Sequence, residues 1–441
     1  MRTLSKLALL AMLATGVSGV ALVAPVAAQK PAPAAGGAPA FKLSKPVLAI
    51  AAQAQAAVQA NNFAVAEPLI VQIETAATTD DDKYIAAALR FDLENHRLQA
   101  AQAANPKAPQ DQRVLAKPLD ALIAARNTPA AARAGYLFKR GQIAALGGQS
   151  AVAADYFTRA RQAGYDPSEV DLQIVRTKVD AGDVAGGLGE LETMVSARET
   201  AGQKPPESYY RYAIAQANQR KLNALTLTWL RKYAAAYPTS KVWYGVTMTY
   251  GIQQASVIKP NKVQLIDLYR LMRATGALAD QALYEQYAQR AYDSGNPYEA
   301  QAVLKEGVAS GKLQATAAFV KGLQTASATA IRNEGSLAST ERQAAASATG
   351  DLAAQTGDVY LGQDNFAKAA ELYRAALAKP AGKVSRDDIN THLGIALART
   401  GDKAGAAGAF AAVAAPDSAG VAGLWATYVQ AGVQPGTAAA G

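Results

Sequence analysis

The stretch GQSAVAADYFTRA, Gly148–Ala160, decides the fold. A glycine turn is followed five residues later by Ala153, then by Tyr156, Phe157 and Ala160, so apolar residues recur at the spacing of one helix face. The same order runs from Gly295 to Ala300, Val303, Leu304 and Gly307, and from Gly401 to Ala406, Ala409, Phe410 and Val413. Asn61 and Asp364 open two further copies. A short turn that leads each time into an amphipathic helix marks a repeated helix-turn-helix unit, each pair packing mainly on its neighbours.

Capping chemistry supports the same joints. Asp166-Pro167-Ser168-Glu169 and Asn296-Pro297-Tyr298-Glu299 each place a capping acceptor before Pro at the first helical position, with Glu two residues on. Glycine at 148, 182, 295 and 401 suits the left-handed conformation that ends a helix. Gly148 and Gly182 lie 34 residues apart, the period of a tetratricopeptide repeat (TPR).

The chain thus resembles the TPR family, whose repeats carry a small residue in the first helix and then Ala, a large residue and a small one in the second. Those roles fall on Gly141, Ala153, Phe157 and Ala160, and again on Ala288, Ala300, Leu304 and Gly307. Gly357, Ala369, Tyr373 and Ala376 form a third set, and Gly394, Ala406, Phe410 and Val413 a fourth. The unit near Asp166 departs, with Gly187, Leu191 and Met194 at the last three places. The resemblance implies an all-α, right-handed α-solenoid of TPR-like repeats. Its small residues let paired helix axes close, and its large residue fills the groove to the next repeat.

Around this block the chain divides by composition. Residues 1–28 carry Arg2 and Lys6, an apolar run from Leu7 to Val23, and Pro25 before Val26-Ala27-Ala28, the layout of a cleavable signal peptide. The run is broken by Thr15, Gly16, Ser18 and Gly19 and is short for a membrane span. The expectation is export to the periplasm, with secretion as the alternative, and no transmembrane segment after signal removal. Residues 29–42 read as a flexible Pro/Ala leader, 43–130 as N-terminal helical repeats and 131–312 as TPR-like repeats. An Ala/Ser/Thr-rich helical linker, 313–350, is expected to separate that stack from C-terminal repeats at 351–431. The last helix, with Leu424, Trp425 and Tyr428, would cap the open end, and 432–441 would be a disordered tail.

Cysteine is absent, which excludes a disulfide framework and a lipid-bearing cysteine after the signal. Removal of Arg2 and Lys6 leaves 42 basic residues against 35 acidic ones, a net charge of +7. That sign is compatible with peptidoglycan or an anionic envelope polymer, but the basic residues are scattered over what reads as a solvated surface. No basic stripe points to nucleic acid.

The chemistry of a catalyst is hard to find. His96 and His392 are the only histidines and sit in different helices far apart in sequence, so no metal and no acid–base pair is expected. No phosphate loop, dinucleotide fingerprint or nucleophile elbow occurs, and no cofactor is expected. Glu207-Ser208, after Pro205-Pro206, is similar to the Glu-Ser pair of soluble lytic transglycosylases. The glycine-rich segments of that catalytic domain are missing, and Glu207 to Lys221 reads as the first helix of a repeat.

Tyrosine is the one unusual enrichment, with 12 of 19 between Tyr209 and Tyr298, beside Trp229 and Trp243. Such rings could hold an extended peptide or a sugar chain, or simply pack helix on helix. By the register of the resembled family, Tyr210, Glu285, Gln289 and Tyr292 face inward, as do Asp351 and Asp358. These six are the candidate binding positions, and they lack the Lys, Arg and Asn of the family's clamp for acidic C-terminal peptides. The expected function is a non-catalytic scaffold that binds a protein or extended peptide in the cell envelope. The alternative is a peptidoglycan- or carbohydrate-binding protein, and the remote one a superhelical lytic enzyme.

Overall fold

The computed structural model describes residues 41–433; the expected signal peptide, the expected leader up to residue 40 and the expected tail from residue 434 lie outside the described residues. Those described form twenty-one α-helices and no strand, packed in consecutive pairs, and they fall into two compact units that meet in sequence at Ala201 and Gly202. This division lies inside the 131–312 segment.

The first unit holds α1 (Lys45–Gln59), α2 (Phe63–Ala76), α3 (Asp80–Ala104), α4 (Ala116–Ala124), α5 (Ala130–Leu146), α6 (Ser150–Gln162), α7 (Pro167–Asp180) and α8 (Val184–Thr200). Each packs on the next, so the core is a chain of local interfaces. Ala66, Ile70 and Ile73 of α2 are buried, Leu69 is half-buried, and Pro68 sits in the second turn of the helix. Thr79 and Asp82 form a capping box at α3. The second oxygen of Asp82 accepts from the Ser44 amide at 2.9 Å, which ties the entry of α1 to the start of α3. The turns are as the sequence requires, with Gly148 at φ +70° and Asn61 at φ +54° in the left-handed region.

The second unit holds α9 (Glu207–Gln219), α10 (Asn223–Ala236), α11 (Ser240–Thr247), α12 (Lys262–Ala274), α13 (Gln281–Asp293), α14 (Pro297–Ala309), α15 (Ala318–Asn333), α16 (Leu337–Ala346), α17 (Asp351–Gly362), α18 (Phe366–Leu377), α19 (Arg386–Thr400), α20 (Lys403–Ala411) and α21 (Pro416–Ala431). Residues 313–350 form α15 and α16 but do not separate the repeats on either side into distinct stacks. α14 packs directly against α17, and the Asn296 side chain donates to the Asp358 carbonyl at 3.0 Å, so the two helices are an insertion between adjacent repeats.

The last helix also departs from expectation. Instead of capping an open end, α21 packs on α20 and α19 and also on α10 and α12, closing this unit on itself. Trp425, fully buried, donates its indole N–H to the Asp267 carbonyl at 3.1 Å, and Arg231 of α10 donates to Thr427 at 3.2 Å. Residue composition explains the fit. Gly420 and Gly423 leave room where Tyr250 and Arg231 cross α21.

The small and large repeat positions meet within each pair. A Cβ at Gly141 would lie 2.6 Å from the Phe157 ring, one at Gly357 2.7 Å from Tyr373, and one at Gly394 would overlap Phe410. Where the large residue is the slimmer Leu304, the matching position is Ala288 and both are fully buried. The glycine is therefore set by the ring it faces. Gly394→Ala is expected to destabilise the second unit by about 1–3 kcal/mol through overpacking, outweighing the gain of up to about 1 kcal/mol in helix propensity. Adding Phe410→Leu should restore most of the loss in urea denaturation; a stabilised Gly394→Ala would refute the packing argument.

Candidate functional site

The polar centre of the second unit is built on α12, α13, α14, α17, α18 and α19. Asp267 and Arg270 share one face of α12 because they stand three residues apart. Their side chains are 3% and 9% exposed, far below what unpaired charges tolerate. The Arg270 guanidinium grips both oxygens of Glu299, at 2.8 and 2.7 Å, and donates to Asp267 at 2.9 Å. Glu299 also accepts from the Tyr287 hydroxyl at 2.6 Å and from the Asn296 amide at 3.1 Å. Its place is fixed by the cap at the head of α14, where Asn296 accepts from the Glu299 backbone N–H at 3.2 Å.

His392 of α19 completes the cluster. Its Nδ1 lies 2.7 Å from Asp358 and its Nε2 3.3 Å from Asp267, so both ring nitrogens face carboxylates. Asp358 accepts a second bond, from the Tyr373 hydroxyl at 2.6 Å. Burial opposes charge on the imidazole, but the Asp267 and Asp358 carboxylates override it and push its pKa up to about 10. Burial likewise works against the two carboxylates, and the His392 charge holds both below the usual range. Arg270 is held well above its ordinary value by Glu299 and Asp267 despite its burial. Burial raises the phenols of Tyr287 and Tyr373 well above theirs, with the neighbouring carboxylates adding to it.

Alongside, Arg273 bridges Glu306 at 2.6 Å and grips Asp364 at 2.9 and 2.7 Å. The crevice between the two arginines has a volume of about 10 Å³, room for about one water. Chemically, this cluster of mutually satisfied groups locks helices together. A protonated His392 with both nitrogens committed is not poised to accept a proton near neutral pH.

The six candidate positions are dispersed. Tyr210 is fully buried, not inward and open: its ring packs 6.1 Å from Trp229, 6.0 Å from Tyr233 and 5.9 Å from Tyr237. The tyrosine enrichment there is inter-helix packing between α9 and α10. Glu285 accepts from Gln281 and Gln289 donates to Asp293, each at 2.8 Å within α13. Tyr292 is half-buried against the core. Asp351 accepts from the backbone of Lys383 and Val384 at 2.9 and 3.0 Å and so fixes the loop before α19. Asp358 alone enters the central network. Sequence reasoning missed Asp267, Arg270 and Glu299; the available signal was a pair of opposite charges in α12 among Ile266, Leu268, Leu271 and Met272.

His96 is apart from all this, 3.1 Å from the Asn61 side chain in the first unit. Glu207 lies in the first turn of α9, accepts from the Tyr233 hydroxyl at 2.5 Å, and has Arg211 one turn on at 3.8 Å. No helix among the described residues is long and apolar enough to cross a membrane.

The helix pairs define an all-α protein of TPR-like repeats. No protein-family model matches the chain and no curated protein matches it. Among solved structures, a chain in the structure of Naa15/Naa10 bound to HypK-THB is similar, with 14% identity, a TM-score of 0.29 and coverage of 83% of this chain. The matched region spans 57% of that chain. The helix pairing carries the fold assignment, and this likeness adds no argument to it.

Proposed function

We propose that the protein is a non-catalytic TPR-like scaffold that holds a protein partner or an extended peptide, exported through its signal peptide to the periplasm. The observation that carries this reading is the surface of the first unit. Leu48, Val65, Val71, Val114, Leu146 and Val152 are large apolar side chains left exposed there, Leu146 to 70%. Exposed singly such residues are ordinary, but two beside one turn offer a partner an apolar foothold. Leu146 and Val152 flank one turn, where α5 passes into α6. The charged centre of the second unit supports a scaffold in a different way, since its groups are spent on one another.

Export rests on the sequence of residues 1–28 alone. The decisive experiment is crosslinking and affinity capture of the tagged full-length protein from cells, with the mature N-terminus read by mass spectrometry. The expected result is a protein partner that is recovered by the parent and lost in a Leu146→Glu, Val152→Asp variant, on a chain that begins near Gln29. Recovery of nothing above an untagged control, or an unchanged profile in the variant, would sink the reading.

A further inference from the structure

Where the inserted helices meet the repeats, they build an open groove of about 650 Å³. Its lining comes from three helices. α14 presents Tyr298, Gln301 and Lys305 along one face, α15 presents Gln324 and Thr325 opposite, and Gln363 closes the end where α17 stops. The floor between the walls is Ala302 and Ala328. No lining residue carries a carboxylate, and Lys305 is the single charge.

The three glutamines are the informative feature. None of the three side-chain amides has a hydrogen-bond partner among the described residues, although each lies half-buried against a helix. Each offers two donors and a carbonyl acceptor on one planar group. That geometry matches vicinal hydroxyls, which present a donor and an acceptor side by side. Tyr298 adds a half-exposed ring on which the flat apolar face of a sugar can lie. A polypeptide would need apolar pockets for its anchoring side chains, and here only alanine methyls and one ring are offered.

We propose that this groove between α14 and α15 binds a neutral oligosaccharide, with Gln301, Gln324 and Gln363 pairing to its hydroxyls and Tyr298 stacking on a pyranose face. The inference is independent of the protein-binding surface above: it uses other residues in the other unit. It also locates a sugar-binding capacity away from Tyr210 and the buried rings around it.

The test is calorimetric titration of the full chain with three neutral probes, N-acetylchitotetraose, cellotetraose and maltotetraose. Saturable binding of at least one is expected. Gln324→Ala should weaken it about tenfold, the effect of losing hydrogen bonds worth about 1.4 kcal/mol. Tyr298→Ala should weaken it at least as much, while Tyr298→Phe keeps the ring and most of the affinity. If Tyr298→Ala lowers thermal stability, the Gln324→Ala and Tyr298→Phe results decide. The proposal is overturned by no saturable heat from any probe, by binding that survives both alanine variants, or by a groove that captures a polypeptide and no sugar.

Discussion

Arg270→Ala is expected to destabilise residues 202–433 by about 3–5 kcal/mol, the cost of breaking a buried ion pair by removing one partner. Among the described residues the guanidinium is the only cation that grips Glu299, whose side chain is 2% exposed, and it also supports Asp267 at 3%. Removing it leaves two carboxylates in a site that water reaches poorly. The loss should exceed that from any single exposed pair, such as Arg113–Asp111, which solvent screens. Replacing Arg270 and Glu299 together by Met and Leu should recover much of it, because a packed apolar pair avoids the desolvation cost. All three tryptophans, Trp229, Trp243 and Trp425, lie in this unit, so urea denaturation followed by tryptophan emission reads it selectively. A midpoint within experimental error of the parent would mean that the cluster is solvated and that its closure is not what holds these helices.

The second large effect is a loss of stability as the solution becomes alkaline. His392 in the folded chain titrates near 10, against 6.5 for an ordinary histidine, so the folded state keeps a proton that the unfolded state releases. Its contribution is complete below about pH 6.5 and fades as the pH rises towards 10. Asp267 and Asp358 act in the opposite sense. Their pKa values are lowered from 3.8, so their contribution is present above that pH and is lost as the pH falls through the folded values. The melting temperature of the tryptophan-reported transition should therefore stand higher on the acid plateau than above neutrality and fall steadily from about pH 7 to 9, while Asp388, raised by its burial, gives its own loss as it ionises on the acid side of that fall. The groups facing His392 are Asp267 from α12, Asp358 from α17, Asp388 from its own helix, and Arg270 and Tyr373. The phenols are raised and Arg270 is raised, so neither titrates inside that window. His392→Phe should lower the plateau and flatten the alkaline slope. A parent slope equal to that of the variant would assign the effect to other groups.

Residues whose role is local could be read from the chain alone. Gly148, Gly182, Gly295 and Gly401 each need a left-handed backbone, and the Asn296 and Asp166 caps act within three residues of themselves. The repeat's Gly–ring contacts were also legible, because Gly141 and Phe157 or Gly394 and Phe410 sit on paired helices joined by one short turn. The central cluster was not. Arg270 meets Glu299 across 29 residues and His392 across 122, and no spacing rule foretells which charged faces converge once a stack bends round on itself. The register argument for Tyr210 fails for a local reason, since its ring turns towards the partner helix of its own pair.

The return of α21 to α10 also sets an order in time. Thr427 meets Arg231 across 196 residues of sequence, a contact that cannot form until α10 and α21 are both free to fold. The first unit has no such dependence, since its helices rest on sequence neighbours and can pair one after another. The second must wait, with its charged interior still wetted, for its final sixteen-residue helix. The C-terminal segment is thus the latch of assembly: a chain stopped short of Pro416 would carry every residue of the ion cluster and still lack the tryptophan that seals it.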